Sequence, residues 1–217
     1  WEAAWRALAD HVLQHRGDAG FWMHEFGRTS GEYTGPAHGM AGAVSALARR
    51  PELVPASELL GRTIDALAAT VIRDGSHANW PPVANEPLER NGVIRTQWCH
   101  GAPGIVASMA PLGGDEQLDE MLLAGGQLTW DAGPLRNSAN LCHGTAGNGF
   151  AFLRLFARTG DELWLERARR FAVHAAGQVV TARRHYGHGR YTLWTGDLGT
   201  AVYLQRCTAG TTEMPCG

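Results

Sequence analysis

The sequence lacks an excess of charge of either sign, a long uninterrupted apolar run, and a dense cysteine framework. Lys+Arg 19 against Asp+Glu 21 leaves a net charge of -2, so no electrostatic footprint for nucleic acid or anionic lipid is present. No apolar stretch approaches the roughly 20 residues that span a bilayer. The opening Trp-Glu-Ala-Ala-Trp-Arg does not have the layout of a signal peptide. A soluble, cytoplasmic protein with neither nucleic-acid nor membrane partners is the expectation. No phosphate-binding loop appears, so nucleotide use is not expected. Strand signals are weak: residues 92–95 are too short to build a sheet, and 190–194 stand alone.

Cysteine is sparse, with four residues at 99, 142, 207 and 216 of a 217-residue chain, too long a chain to need a disulfide scaffold. Cys207 and Cys216 lie in no motif and read as ordinary thiols. Cys99 and Cys142 sit in matching His-Gly contexts, which points to metal binding.

Glycine is abundant: 28 of 217 residues, nearly twice the usual ~7%. The glycines recur in one local pattern, found four times. The copies are Pro36-Ala-His-Gly-Met-Ala-Gly42, Trp98-Cys-His-Gly-Ala-Pro-Gly104, Leu141-Cys-His-Gly-Thr-Ala-Gly147 and Trp194-Thr-Gly-Asp-Leu-Gly199. After each comes a short, nearly all-apolar helix candidate, over 43–49, 105–112, 150–158 and 200–205, which belongs inside. Between them lie longer amphipathic segments, 2–15, 56–73, 115–130 and 161–180. In the last, Leu163, Trp164, Ala168, Phe171, Ala172 and Ala175 make an apolar stripe. Alternating outer and inner helices, each inner one entered through a Gly-x-x-Gly turn, describe an all-α fold of the α/α-toroid type in a single domain, 1–217. The Pro-rich loop 79–87 leads into Cys99. Its length suggests a lid or binding loop on the rim that carries the glycine turns.

Thiolate and imidazole together suit zinc, which in catalytic sites keeps three protein ligands and one open position. Cys99 and Cys142 are 43 residues apart, so only a repeat architecture that stacks successive turns brings them together. A helix N-terminus just beyond each cysteine would favour the thiolate. Spacing alone does not decide whether His100 or His143 is the third ligand.

The segments Arg95-Thr-Gln-Trp-Cys-His-Gly-Ala-Pro-Gly104, Leu141-Cys-His-Gly-Thr-Ala-Gly-Asn148 and Leu193-Trp-Thr-Gly-Asp-Leu-Gly199 resemble the lanthionine synthetase C-like family, the lanthipeptide cyclases and their stand-alone relatives. The resemblance implies an α/α toroid of seven inner and seven outer helices. It implies zinc held by Cys99, Cys142 and His143, with His100 lining the pocket. It implies addition of a thiol, from a peptide cysteine or a small thiol such as glutathione, to dehydroalanine or dehydrobutyrine, giving a thioether as in lanthipeptide biosynthesis. Partners would be a dehydrated precursor peptide, or a small thiol plus a dehydroamino-acid peptide. His38 matches the family's catalytic histidine, and Arg95 matches an arginine that would stabilise enolate charge or support the turn.

Four repeats stand where the family has seven, and the chain opens on Trp1 rather than Met, so it reads as the C-terminal part of a toroid. The Asp that the family pairs with its catalytic His is expected upstream, and a partner or further segment is expected to cover the open edge. A rival reading is a non-catalytic zinc module that captures thiols or peptides. Other toroid enzymes fit less well: zinc prenyltransferases need an Asp-Cys-His set and glycosidases need paired rim carboxylates, and neither pattern occurs. His24, His77, His185 and His188 flank loops and read as solvated. Trp80, Trp98 and Trp194 read as packing residues at the rim.

Overall fold

The computed structural model describes residues 1–136 and 138–215. Four outer helices, α1 (Glu2–Gln14), α3 (Ala56–Thr70), α5 (Glu116–Ala132) and α7 (Glu162–Tyr186), alternate with four inner ones, α2 (Met40–Leu47), α4 (Ala102–Met109), α6 (Thr145–Thr159) and α8 (Asp197–Ala209). The inner helices pack in series, α2 on α4, α4 on α6 and α6 on α8. Helices α5 and α7 back them from outside. This is α/α-toroid architecture, here an arc of four helical pairs.

Burial follows the sequence pattern. Every residue of α4 is buried, whereas α7 buries only the stripe Trp164, Leu165, Ala168, Phe171, Ala172 and Ala175. Asp115 and Asp161 cap α5 and α7, their carboxylates accepting from the backbone N–H of Leu118 and Leu163 at 3.0 and 2.9 Å, each substituting for a missing intrahelical acceptor. Gly160, Gly187 and Gly210 close α6, α7 and α8 in left-handed backbone, which glycine enters without a Cβ clash.

The inner helices begin three to five residues earlier than their apolar runs suggest, because both glycines of each turn fold into the helix start. The first donors of α2, α6 and α8 need no side-chain cap, whereas that of α4, Ala102, donates to Asn79 Oδ1 at 2.8 Å. Met40 and Ala41 donate to the Tyr33 and Thr34 carbonyls at 2.9 and 3.1 Å, Thr145 and Ala146 to those of Ser138 and Ala139 at 2.9 and 3.1 Å, and Asp197 to that of Arg190 at 2.7 Å. The chain thus folds back so that a carbonyl seven residues upstream accepts each bond. That return leaves no room for a Cβ at the second glycine. A methyl on Gly42, Gly104, Gly147 or Gly199 would collide with the carbonyl oxygen of Pro36, Trp98, Leu141 or Leu193, six residues back in each case. The repeated glycine is therefore a steric requirement of one backbone shape.

Two expectations are corrected. Strands do form, as three short antiparallel hairpins: β1 (Met23–Phe26) with β2 (Thr29–Glu32), β3 (Ile72–Asp74) with β4 (His77–Asn79), and β5 (Glu89–Arg90) with β6 (Val93–Ile94). They were hard to see because strands this short carry little periodicity, and residues 190–194 form no strand. The Pro-rich segment is also not a lid over its first half. Residues 78–84 are buried, Trp80 completely so, its indole N–H donating to the Leu67 carbonyl at 3.0 Å. Backbone bonds from Thr34 to the Pro82 carbonyl, 3.1 Å, and from Ala84 to that of Glu32, 2.8 Å, strap it to the first glycine turn. Among the described residues no helix is long and apolar enough to cross a membrane.

Replacing Gly147 with Ala is expected to lower stability by more than about 2 kcal/mol. Gly177→Ala, in α7 with open space around its Cα, should raise it by about 1 kcal/mol through helix propensity. Chemical denaturation of both variants checks the pair, and equal effects would refute the steric assignment.

Candidate metal centre

The glycine turns are hydrogen-bonded to one another at the residue ahead of His-Gly. Cys99 N–H donates to the Cys142 carbonyl at 3.0 Å, and Cys142 N–H donates to the carbonyl of Trp194, its counterpart in the last turn, at 2.9 Å. The first turn joins by close packing: Gly35 lies against the Cys99 carbonyl and the Pro36 ring against Gly104. Residues far apart in sequence therefore occupy adjacent rungs, and the thiols of Cys99 and Cys142 are close enough to shift each other's titration.

The surroundings of the two thiols differ. Cys99 is buried, 8% exposed, and its sulfur also lies 3.7 Å from Gln97 Oε1. Cys142 is half-buried. The neighbouring Cys99 thiol pulls Cys142 down to about 6, assisted by His143 and by the His143 and His38 charges and opposed by burial. Cys99 moves the other way, because the neighbouring thiolate and burial both hold its proton. The two thiols therefore titrate as a pair. The first-turn N–H groups of α6 donate to loop carbonyls and that of Ala102 to Asn79 Oδ1, 2.8 Å away, so none of them bonds a sulfur.

His143 is exposed; its backbone N–H donates to Asn140 Oδ1 at 3.0 Å, and Asn140 Nδ2 donates to its Nε2 at 3.4 Å. His38 is exposed, with its ring 5.0 Å from that of Phe26 and 6.4 Å from that of the half-buried His100. Arg95 is exposed; its charge favours the Cys99 thiolate, and its carbonyl accepts from Asn79 Nδ2 at 3.4 Å. The structure thus gathers both cysteines, His143, His38, His100 and Arg95 around neighbouring turns.

The donors suit a soft cation in kind, two thiols and imidazole, yet among the described residues no three His, Cys, Asp or Glu side chains are arranged to hold one ion. The third arm, His143, is engaged with Asn140. Three positioning residues escaped the sequence reading. Asn140 orients His143; Asn79 ties the Arg95 carbonyl to the start of α4; Asn148 donates to the Thr96 carbonyl at 2.9 Å and anchors the strand entering Cys99. The x-Asn pattern before the second Cys-His was visible, but its amide partners lie in another turn or in the loop itself, where spacing says nothing.

The remaining sequence candidates have structural roles. Cys207 is buried, its thiol pushed up to about 11 by burial, while Cys216 lies outside the described residues. His24 bonds the Trp22 carbonyl at 3.1 Å, and His77 pairs with Asp131 at 2.7 Å. Trp98 stacks on Trp194 with ring centres 4.6 Å apart, bracing the turns.

Residues 7–215 match the family described as Lanthionine synthetase C-like protein, and the chain belongs to that family. It is 32% identical over 187 residues to a Danio rerio protein named Glutathione S-transferase LANCL1, covering 80% of this chain and 42% of the relative. It is 28% identical over 174 residues to LanC-like protein GCL1 of Arabidopsis thaliana, covering 77% of this chain and 39% of that protein. The chain thus spans about two fifths of the length of these curated relatives.

In metal-free protein, alkylation of Cys142 should rise with pH through about 6 and level off by about pH 7.5 as the thiolate fraction saturates. Cys99→Ala removes the neighbour that lowers Cys142 most, so the midpoint should climb toward the ordinary thiol value of 9.0. An unshifted midpoint in that variant would show that the partner thiol does not set the acidity.

Proposed function

We propose that these turns form the thiol-activating site of an enzyme that adds a thiol, from a peptide cysteine or a small thiol such as glutathione, to dehydroalanine or dehydrobutyrine, forming a thioether. The observation that carries this reading is the placement of Cys99 and Cys142 on adjacent turns joined by the 3.0 Å bond from the Cys99 N–H to the Cys142 carbonyl, with the exposed His143 next in the chain. The relative whose name is Glutathione S-transferase supports thiol chemistry. Zinc, held by Cys99, Cys142 and His143, would supply an activated substrate thiolate at neutral pH.

This chain's own residues serve the rest of the addition. The sulfur–Cβ bond forms as the alkene π electrons move to the carbon bearing the carbonyl, and a proton then closes that carbon, so the reaction is a net addition of S–H. His38, exposed beside the thiols, is suited to deliver that proton. Arg95, whose positive charge reaches Cys99, is suited to steady negative charge on the enolate oxygen. His100, half-buried with its ring 6.4 Å from that of His38, shapes the wall.

A second reading, a non-catalytic module that captures thiols, is favoured by one feature: among the described residues His38 has no carboxylate hydrogen-bonded to it to fix its tautomer. Metal analysis and turnover separate the two. A single bound zinc is expected, lost in Cys99→Ala, Cys142→Ala and His143→Ala and kept in His100→Ala. His38→Asn should keep zinc and lose about 10²-fold or more in the rate of thiol addition to a dehydroalanine peptide. Zinc without any turnover in the unaltered chain would leave the capture reading, and a folded chain that takes up no zinc would remove both.

A further inference from the structure

A second concave surface lies beside the thiol turns. A cleft of about 790 Å³ opens between the C-terminal half of α7, the loop that precedes Cys142 and the turn entering α8. Its size is that of a ligand site. Arg136, Arg183 and Arg190 line it together with His174, His185 and His188. Among the described residues Asp197 is the one acidic residue on its walls, and Arg183 Nε at 3.2 Å and the Arg190 N–H at 3.2 Å already occupy that carboxylate. Among the described residues neither Arg136 nor Arg190 is paired with a carboxylate, and both are exposed. A chain with net charge -2 thus presents here a patch of concentrated positive charge.

The basic side chains are of one kind. All 19 Lys+Arg residues of the chain are arginine, the side chain whose planar fork pairs with carboxylates through two hydrogen bonds. The patch is also long. His174 and His185 stand eleven residues apart on α7, about 16 Å at 1.5 Å per residue. That length is too great for one small anion and matches about five residues of extended peptide. The exposed ring of Tyr186, with the Arg190 guanidinium 5.8 Å from its centre, adds an apolar platform. At its inner end the cleft reaches Asn140, the residue that orients His143.

We propose that this cleft binds an extended acidic peptide, its Asp or Glu side chains pairing with Arg136 and Arg190 and its backbone lying along α7. The binding does not depend on zinc or on the thiol chemistry proposed above.

The test is fluorescence anisotropy of the full 217-residue chain with a labelled six-residue peptide carrying alternating Glu, against the same peptide with Gln. The Glu peptide should bind about tenfold or more tightly than the Gln peptide. An R136E/R190E double variant should lose that preference, and both residues are exposed, so its fold should survive by circular dichroism. R6E/R28E, with the same charge change outside the cleft, should keep the affinity within about threefold. Equal binding of the two peptides, an unaffected R136E/R190E variant, or an R6E/R28E variant weakened to the same degree would overturn the proposal. So would displacement of the peptide by an equal concentration of inorganic phosphate, which would make the cleft a small-anion site.

Discussion

The backbone bond from Cys99 to Cys142, continued from Cys142 to Trp194, is the constraint from which the rest of this structure follows. It sets successive turns one strand-like step apart, so the two thiols meet without any covalent link. It requires that the chain before each inner helix fold back on itself, which is why a glycine must face a carbonyl six residues upstream in all four turns. The inner helices then leave the turns side by side, and their small, apolar surfaces allow the close packing of α2, α4, α6 and α8.

Two thiols placed in contact cannot both ionise freely, because the second charge would form beside the first in a partly desolvated setting. The more solvated sulfur, Cys142, takes the charge, and the buried one keeps the proton. The charges of His143 and His38 add to the pull on Cys142, and thiol and imidazole are the kinds of donor a soft cation takes once deprotonated. Rigid backbone holds the cysteines, whereas the histidines depend on amide side chains such as Asn140, and the softer part of the site is therefore its histidine shell.

The α8 end of the arc is less covered than its middle. Leu198 is 49% exposed and Val173 on α7 76%, while the corresponding region of α4 has no exposed residue. The cationic cleft opens on that same side. Two different surfaces, one apolar and one basic, thus adjoin the thiol turns.

Composition and periodicity were sufficient to locate the inner and outer helices, because burial on one face or all round leaves a pattern that depends only on neighbouring residues. The Cys-His-Gly pair likewise named the donors. The amide network escaped: Asn79, Asn140 and Asn148 carry no periodic signal, and their value depends on which carbonyl or ring the fold brings near. The hairpins and the buried Pro-rich strap were misread for a related reason, since a short segment takes its structure from what packs over it. The sequence by itself determined the helical repeat and the kinds of side chain at the site, through local sterics and apolar spacing. Only the tertiary structure decided that Cys99 and Cys142 become neighbours, that Asn148 reaches the Thr96 carbonyl, and that distant arginines line one cleft, because distance across a fold is not a property of any one stretch of chain.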